Sequence, residues 1–226
     1  MIRVVLFDID GTLLHTGGAG IKAFARALET EFGVADGTHR LKFAGRTDVS
    51  LARELFANEG IALTQENFNR FFASYLGCLH EIMQDCTGGA CTGVLDFYRS
   101  LRALPEPPLT GLLTGNIKYG ARIKLERFDL WRRFPFGAFA DDHEERDLIA
   151  AVALRRSSEQ YGRQLHGEEV LVIGDTPLDI RCARAIGAKV LAVATGGATL
   201  EELERHKPDW AVPDLSHIPA AKIFAD

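Results

Sequence analysis

No apolar run in the 226 residues approaches the ~20 residues that a membrane-spanning helix needs. The apolar stretch Val4–Phe7 is too short for the core of a secretory leader and is broken at once by Asp8. Cysteine is sparse: Cys78, Cys86, Cys91 and Cys182 form no C-x-x-C pair. The expectation is therefore reduced thiols in a cytoplasmic protein, with Cys86 and Cys91 as small residues flanking "TGGA". The seven histidines show no H-x-x-x-H or other zinc spacing. "GGAG" (17–20) lacks the spacing of a dinucleotide-binding turn, and hinge glycine explains it better. An excess of positive charge is missing too. With a net charge of −5, the broad basic footprint of a nucleic-acid binder is not expected. Anionic small molecules stay open, because one pocket can be positive on an acidic protein.

What is present is strand–helix alternation. "IRVVLF" (2–7), "LTGLLT" (109–114), "EVLVIG" (169–174) and "KVLAVAT" (189–195) read as strands, with "FGAFA" (136–140) and "WAV" (210–212) weaker. The strong four are nearly continuous apolar runs, which suits a parallel sheet covered on both faces. Helical patterns occupy 94–104, 120–131 and 179–188, and "TLEE" (199–202) has the form of a capping box. The fold class implied is α/β, a doubly wound, mostly parallel sheet. Residues 15–88 contain no convincing strand. They carry amphipathic helical patterns at 21–32, 48–60 and 65–83, and Phe68, Phe71, Phe72 and Tyr75 fall at helical spacing as core. The expected organisation is an α/β core from 1–14 and 89–226 with an inserted helical cap at 15–88.

In open α/β sheets, ligands bind beyond the carboxyl ends of strands. Beyond the first strand stand Asp8 and Asp10, followed by Gly11 and Thr12; beyond the second stand Thr114, Gly115 and Asn116; beyond 169–174 stand Asp175 and Asp179. Neighbouring carboxylates repel and resist desolvation unless a cation relieves them. Several converging carboxylates favour a hard cation, with Mg²⁺ the common choice. So relieved, Asp8 can act as a nucleophile toward phosphorus. Asp10 can serve as acid to the leaving oxygen and then as base for water, and Thr114 offers a hydroxyl to phosphoryl oxygens.

"DIDGTL" (8–13), "LLTGN" (112–116) and "GDTPLD" (174–179), in this order, resemble the first, second and fourth motifs of the haloacid dehalogenase superfamily. The insertion is similar to the helical cap of its phosphoglycolate phosphatase-like and β-phosphoglucomutase-like members. The resemblance implies a Rossmann-like core and a Mg²⁺-dependent phosphatase acting on a small phosphorylated metabolite through an aspartyl-phosphate. A phosphosugar mutase and a catalytically inactive binding protein are the alternatives. It implies Asp8 as nucleophile and Asp10 as acid/base. Asp8, the Asp10 carbonyl and Asp175 would hold the metal with Asp179 in support, and Gly11, Thr12, Thr114, Gly115 and Asn116 would surround the phosphate. One departure stands out. The lysine usual after the third strand is missing from "ADDHEERDLIAAVALRR" (140–156), leaving Arg146 or Lys118 as the cation. In "FAGRTD" (43–48), Arg46 is a candidate for meeting an acidic or phosphorylated leaving group.

Overall fold

The computed structural model describes residues 1–224. Six parallel strands form the central sheet: β1 (Val4–Phe7), β4 (Leu109–Leu113), β5 (Phe136–Ala138), β6 (Val170–Gly174), β7 (Lys189–Val193) and β8 (Trp210–Val212). Their spatial order is β5-β4-β1-β6-β7-β8, so β1 lies in the middle with β4 and β6 on its two sides. Phe7 pairs with Leu112 on one flank and Ile173 on the other. The chain therefore reverses its winding direction at the end of β1, where such folds open a crevice.

Strand residues alternate between two cores. Val5, Phe7, Leu171, Ile173, Leu191 and Val193 pack on one face. Val4, Leu6, Val170, Val172, Val190 and Ala192 pack on the other. A strand buried on both sides has no polar phase, which is why these runs read as continuous. Each fully buried aliphatic or aromatic side chain contributes about 1.5–3 kcal/mol of transfer free energy.

Two short strands, β2 (Leu14–His15) and β3 (Gly89–Ala90), pair antiparallel where the chain leaves the sheet and where it returns. The expectation of no strand from residue 15 is thus corrected by one residue. Between them lie α1 (Ala19–Phe32), α2 (Asp48–Asn58) and α3 (Gln65–Gln84), which share a third core. Phe24 is its hub, edge-on to Phe71 at 5.1 Å and to Tyr75 at 4.7 Å between ring centroids. Phe71 and Tyr75 are buried as expected, and Phe68 and Phe72 are half-buried around them. Thr47 and Thr64 cap α2 and α3, accepting N–H bonds from Ser50 and Asn67.

The remaining helices are α4 (Val94–Arg102), α5 (Lys118–Glu126), α6 (Arg146–Tyr161), α7 (Pro177–Ala185), α8 (Leu200–Arg205) and α9 (Ala220–Phe224). Helix α6 is absent from the sequence reading. Its buried stripe is Arg146, Ile149, Ala150, Ala153 and Ser157, too small and polar to stand out as apolar periodicity. Among the described residues no helix is long and apolar enough to cross a membrane, and the four cysteines are unpaired.

Candidate active site

Three strand ends converge. The N–H of Asp8 still donates to Ile173 of β6, at 2.9 Å, so the first residue beyond β1 is fixed by the sheet itself. Asp175 follows β6 directly, and Asp179 sits one turn into α7. One carboxylate oxygen from each of Asp8, Asp175 and Asp179 lies within 4.8 Å of the others, and all three residues are buried. Burial pushes the Asp8 carboxyl up to about 6, against the pull of Arg146 and with a further push from Asp179 and Asp10. Burial, Asp179 and Asp8 likewise hold the Asp175 carboxyl well above the usual carboxylate range. Three buried acids need more positive charge than the protein gives them.

Arg146 supplies part of it. It opens α6, is only 4% exposed, and pairs through Nη2 with Asp8 at 3.1 Å and with Asp179. Burial works against its charge, but Asp179 and Asp8 outweigh that and keep its proton affinity above the ordinary value. Of the two cations left open by the sequence, Arg146 is thus the one at the carboxylates. Lys118 is exposed and borders a different cavity, with Trp131 and Asp141.

The two oxygens of Asp179 are both engaged. One takes Arg146; the other accepts the Thr176 hydroxyl at 2.7 Å and the Thr176 N–H at 3.0 Å in a reciprocal cap. Asp179 therefore braces the cluster. Asp175 has weaker support, the Thr12 hydroxyl at 2.9 Å, and lies in a tight backbone cradle. A Cβ on Gly11 would come within 2.6 Å of its Oδ2, and one on Gly196 within 1.6 Å. The positive φ of Gly11, 79°, adds a second reason for glycine there. Thr195 locks the cradle by donating to the Gly11 carbonyl at 2.5 Å.

On the β4 side, the Thr114 hydroxyl accepts from the Asn116 N–H at 3.3 Å and the Asn116 amide at 2.9 Å. Its own proton remains to be donated. Asn116 also donates to Asp10 at 2.8 Å and accepts from Lys124 Nζ at 2.6 Å. Lys124 closes the triangle on Asp10 Oδ2, again at 2.6 Å. It is 4% exposed and was missed from the sequence. The signal was available: Ala121, Lys124 and Leu125 share the buried phase of α5, and a lysine in an apolar phase needs a partner.

The helical insertion meets the sheet at the same edge. The Asp48 N–H donates to the Gly115 carbonyl at 2.7 Å, and the Asp48 carboxylate accepts the Ile117 N–H at 2.8 Å. A Cβ on Gly115 would strike the Arg46 carbonyl at 2.2 Å. Arg146 Nη1 donates to the Gly45 carbonyl at 3.0 Å, and the Thr47 hydroxyl to Glu144 at 2.7 Å. The 43–48 loop does lie over the crevice, yet Arg46 is engaged elsewhere. Its guanidinium pairs with Glu54 and reaches the Ser50 carbonyl at 3.3 Å. Arg46 does line the cavity, with its guanidinium already paired to Glu54. A cavity of about 440 Å³ remains between sheet edge and insertion, in the size range of small-molecule sites. Asp8, Asp10, Thr114, Arg146 and Asp175 line one end; residues of α1–α3 line the other.

The buried acids offer hard oxygen donors and a deficit of cation, and Asp8 and Asp175 keep oxygens free of any basic side chain. A divalent ion of the Mg²⁺ class fits that donor set.

Residues 5–193 match the family model described as haloacid dehalogenase-like hydrolase. A protein of Caldanaerobacter subterraneus subsp. tengcongensis named as a pyrophosphatase, PpaX, is 25% identical over 219 residues, 95% of this chain and 91% of its own length. Among solved structures, CbbY from Rhodobacter sphaeroides in complex with phosphate superposes with a TM-score of 0.75 at 15% identity, covering 96% of both chains. A protein of Haemophilus somnus described as a predicted phosphoglycolate phosphatase gives 0.74 at 19% identity, covering 99% of this chain and 98% of that one. The model match spans most of the sequence and includes every strand end that shapes the crevice, so this chain belongs to the haloacid dehalogenase-like hydrolases.

Proposed function

We propose that the protein is a Mg²⁺-dependent phosphatase that hydrolyses a small-molecule phosphomonoester through an aspartyl-phosphate on Asp8. The observation that carries this reading is the Asp8 carboxylate at the end of β1, beside Arg146 at 3.1 Å and within 4.8 Å of Asp175 and Asp179. The names of PpaX and of the Haemophilus protein support a phosphate-ester or phosphoanhydride substrate.

Asp8, Asp175 and the Asp10 backbone carbonyl would hold Mg²⁺, which when bound supplies positive charge to the phosphoryl oxygens. Arg146 restrains Asp8 and adds a fixed charge for the oxyanion. The Thr114 proton and nearby backbone N–H groups bind the phosphoryl group. An Asp8 oxygen forms the new bond to phosphorus as the bond to the leaving oxygen breaks, and Asp10 gives that oxygen its proton. Asp10 then takes a proton from water, whose oxygen attacks phosphorus and frees Asp8 and inorganic phosphate. Residues 15–88 act as the cap over this site, with the β2–β3 pair as its hinge.

Hydrolysis of phosphorylated metabolites, measured as free phosphate, tests the reading. Asp8→Asn is expected to lower the rate by roughly 10³-fold or more with the fold intact. Chelation is expected to abolish turnover and Mg²⁺ to restore it. Turnover by the Asp8→Asn variant at the wild-type rate would refute the assignment.

A further inference from the structure

The end of the cavity away from Asp8 receives whatever leaves with the ester oxygen. Asp10 borders it from the sheet edge, and the other ionisable residues that line it are His15, Arg46, Asp48, Tyr75 and Lys124. Both strong cations there are already matched by acids of the protein. Lys124 Nζ sits 2.6 Å from Asp10 and 2.6 Å from Asn116, and Arg46 pairs with Glu54. His15 is an exposed rim residue on β2. Asp48 adds a further carboxyl, buried and tied to the Ile117 N–H at 2.8 Å. Its other side chains are mostly apolar, Leu14, Ile21, Phe24, Phe43, Leu51 and the ring of Tyr75, beside the uncharged 16–20 segment that leads into α1.

An anionic group entering this end would lose its hydration beside the Asp10 and Asp48 carboxyl groups, while Lys124 is already held by Asp10 and Asn116 and Arg46 by Glu54. Breaking Lys124 away from Asp10, or Arg46 from Glu54, would strand a charge on the protein instead. An uncharged hydrocarbon or aromatic body meets none of these costs and covers apolar surface.

We propose that the preferred substrate is the phosphomonoester of an uncharged alcohol with an apolar or aromatic body. Phosphates whose leaving group carries a carboxylate or a second phosphate are disfavoured. This rests on the phosphatase reading above and narrows it. It also separates this chain from what the names of its relatives denote, since glycolate carries a carboxylate and pyrophosphate releases a phosphate.

The test compares benzyl phosphate with 4-carboxybenzyl phosphate, esters with the same reacting centre, and adds phosphoglycolate and inorganic pyrophosphate. All are assayed on the full chain with Mg²⁺, with Asp8→Asn as the control for site-specific turnover. The expected result is a kcat/KM for benzyl phosphate at least 10-fold above each of the three anionic substrates. In Glu54→Gln, which frees the Arg46 guanidinium, kcat/KM for 4-carboxybenzyl phosphate is expected to rise several-fold while that for benzyl phosphate stays within 2-fold. Asp8-dependent hydrolysis that is equal for the pair, or faster for any anionic member, overturns the substrate class and leaves the phosphatase reading standing. An unchanged carboxybenzyl rate in Glu54→Gln overturns the part assigned to the Arg46–Glu54 pair. Absence of Asp8-dependent turnover on every substrate overturns both readings together.

Discussion

Two arginines, Arg146 of the sheet edge and Arg46 of the helical insertion, line the same cavity and show how differently its two sides are built. Arg146 is 4% exposed and shared by two buried carboxylates, while a third, Asp175, has no basic partner. Arg46 is half-buried and has Glu54 to itself, with the serine at position 50 filling its remaining reach. The sheet edge is electrically unfinished without an added cation. The helical end is complete in its own right. A site whose one end lacks charge and whose other end has none to spare is suited to receive a group with its negative charge at a single extremity.

The sharpest way to break that contrast is to remove each guanidinium in turn. Arg146→Ala leaves Asp8 and Asp179 buried side by side without their counter-charge, and loss of one partner from a buried pair costs about 3–5 kcal/mol. Arg46→Ala opens a pair whose two side chains are 27% and 41% exposed, for which up to about 1 kcal/mol is expected. Urea denaturation in chelator measures both. Equal losses would mean that the two ends do not differ in the way the burial implies.

The difference also decided what was legible beforehand. Asp8, Asp10, Thr114, Asp175 and Asp179 stand directly beyond apolar runs or at a helix cap, so chain direction alone put them at one edge. The alternation of Val4, Leu6 and Val5, Phe7 between two cores made the strands stand out as unbroken runs. The helical end offered no such rule. Asp48 reads as an ordinary acidic first-turn residue, and Lys124 as one basic residue among several in "ARIKLERF". The buried phase of α5 signals that Lys124 needs a partner, but which partner is settled only when α2 and α5 are brought to the same crevice, a long-range event that local pattern does not encode. Arg46 shows the converse: its loop was placed well, but the partner Glu54 lies on a helix whose facing could not be fixed. Gly196, from "ATGGA", looked like any turn glycine until its closeness to Asp175 gave it a steric reason.

Asp48 offers a finer probe of the helical end. Burial pushes its carboxyl up to about 7, against the pull of Lys124 and the Ile117 N–H. The ordinary value in an unfolded chain is about 4, so between pH 4 and 7 the folded state holds a proton that the unfolded state has lost. The contribution of this group to stability therefore falls as pH rises through that window and levels off above it. Asp48→Asn keeps an oxygen for the Ile117 N–H but cannot ionise. Relative to wild type, the variant is expected to gain on the order of 1–3 kcal/mol between pH 5 and pH 8, measured by chemical denaturation. The titrations of Asp8 and Asp175 are common to both proteins and cancel to first order. A difference that stays constant with pH would place the ionised Asp48 in a more favourable setting than its burial allows.

The smallest effect is expected at Tyr75, and it tests how complete the helical end is. Its ring packs at 4.7 Å on Phe24 and forms part of the cavity wall, but its hydroxyl is buried without a hydrogen-bond partner. A buried, unsatisfied hydroxyl costs stability relative to the same ring without it, and desolvation is what raises this phenol well above its usual range. Tyr75→Phe keeps the shape and removes the polar atom, so a change between zero and about 1 kcal/mol of added stability is expected in thermal unfolding. KM for an apolar phosphomonoester is expected to stay within 2-fold, because the ring supplies the contact and the hydroxyl none. A loss of more than about 1 kcal/mol would show that the hydroxyl is satisfied in solution. A KM raised several-fold at unchanged stability would instead make it a polar contact to substrate, and the leaving-group end would then be less purely apolar than its wall.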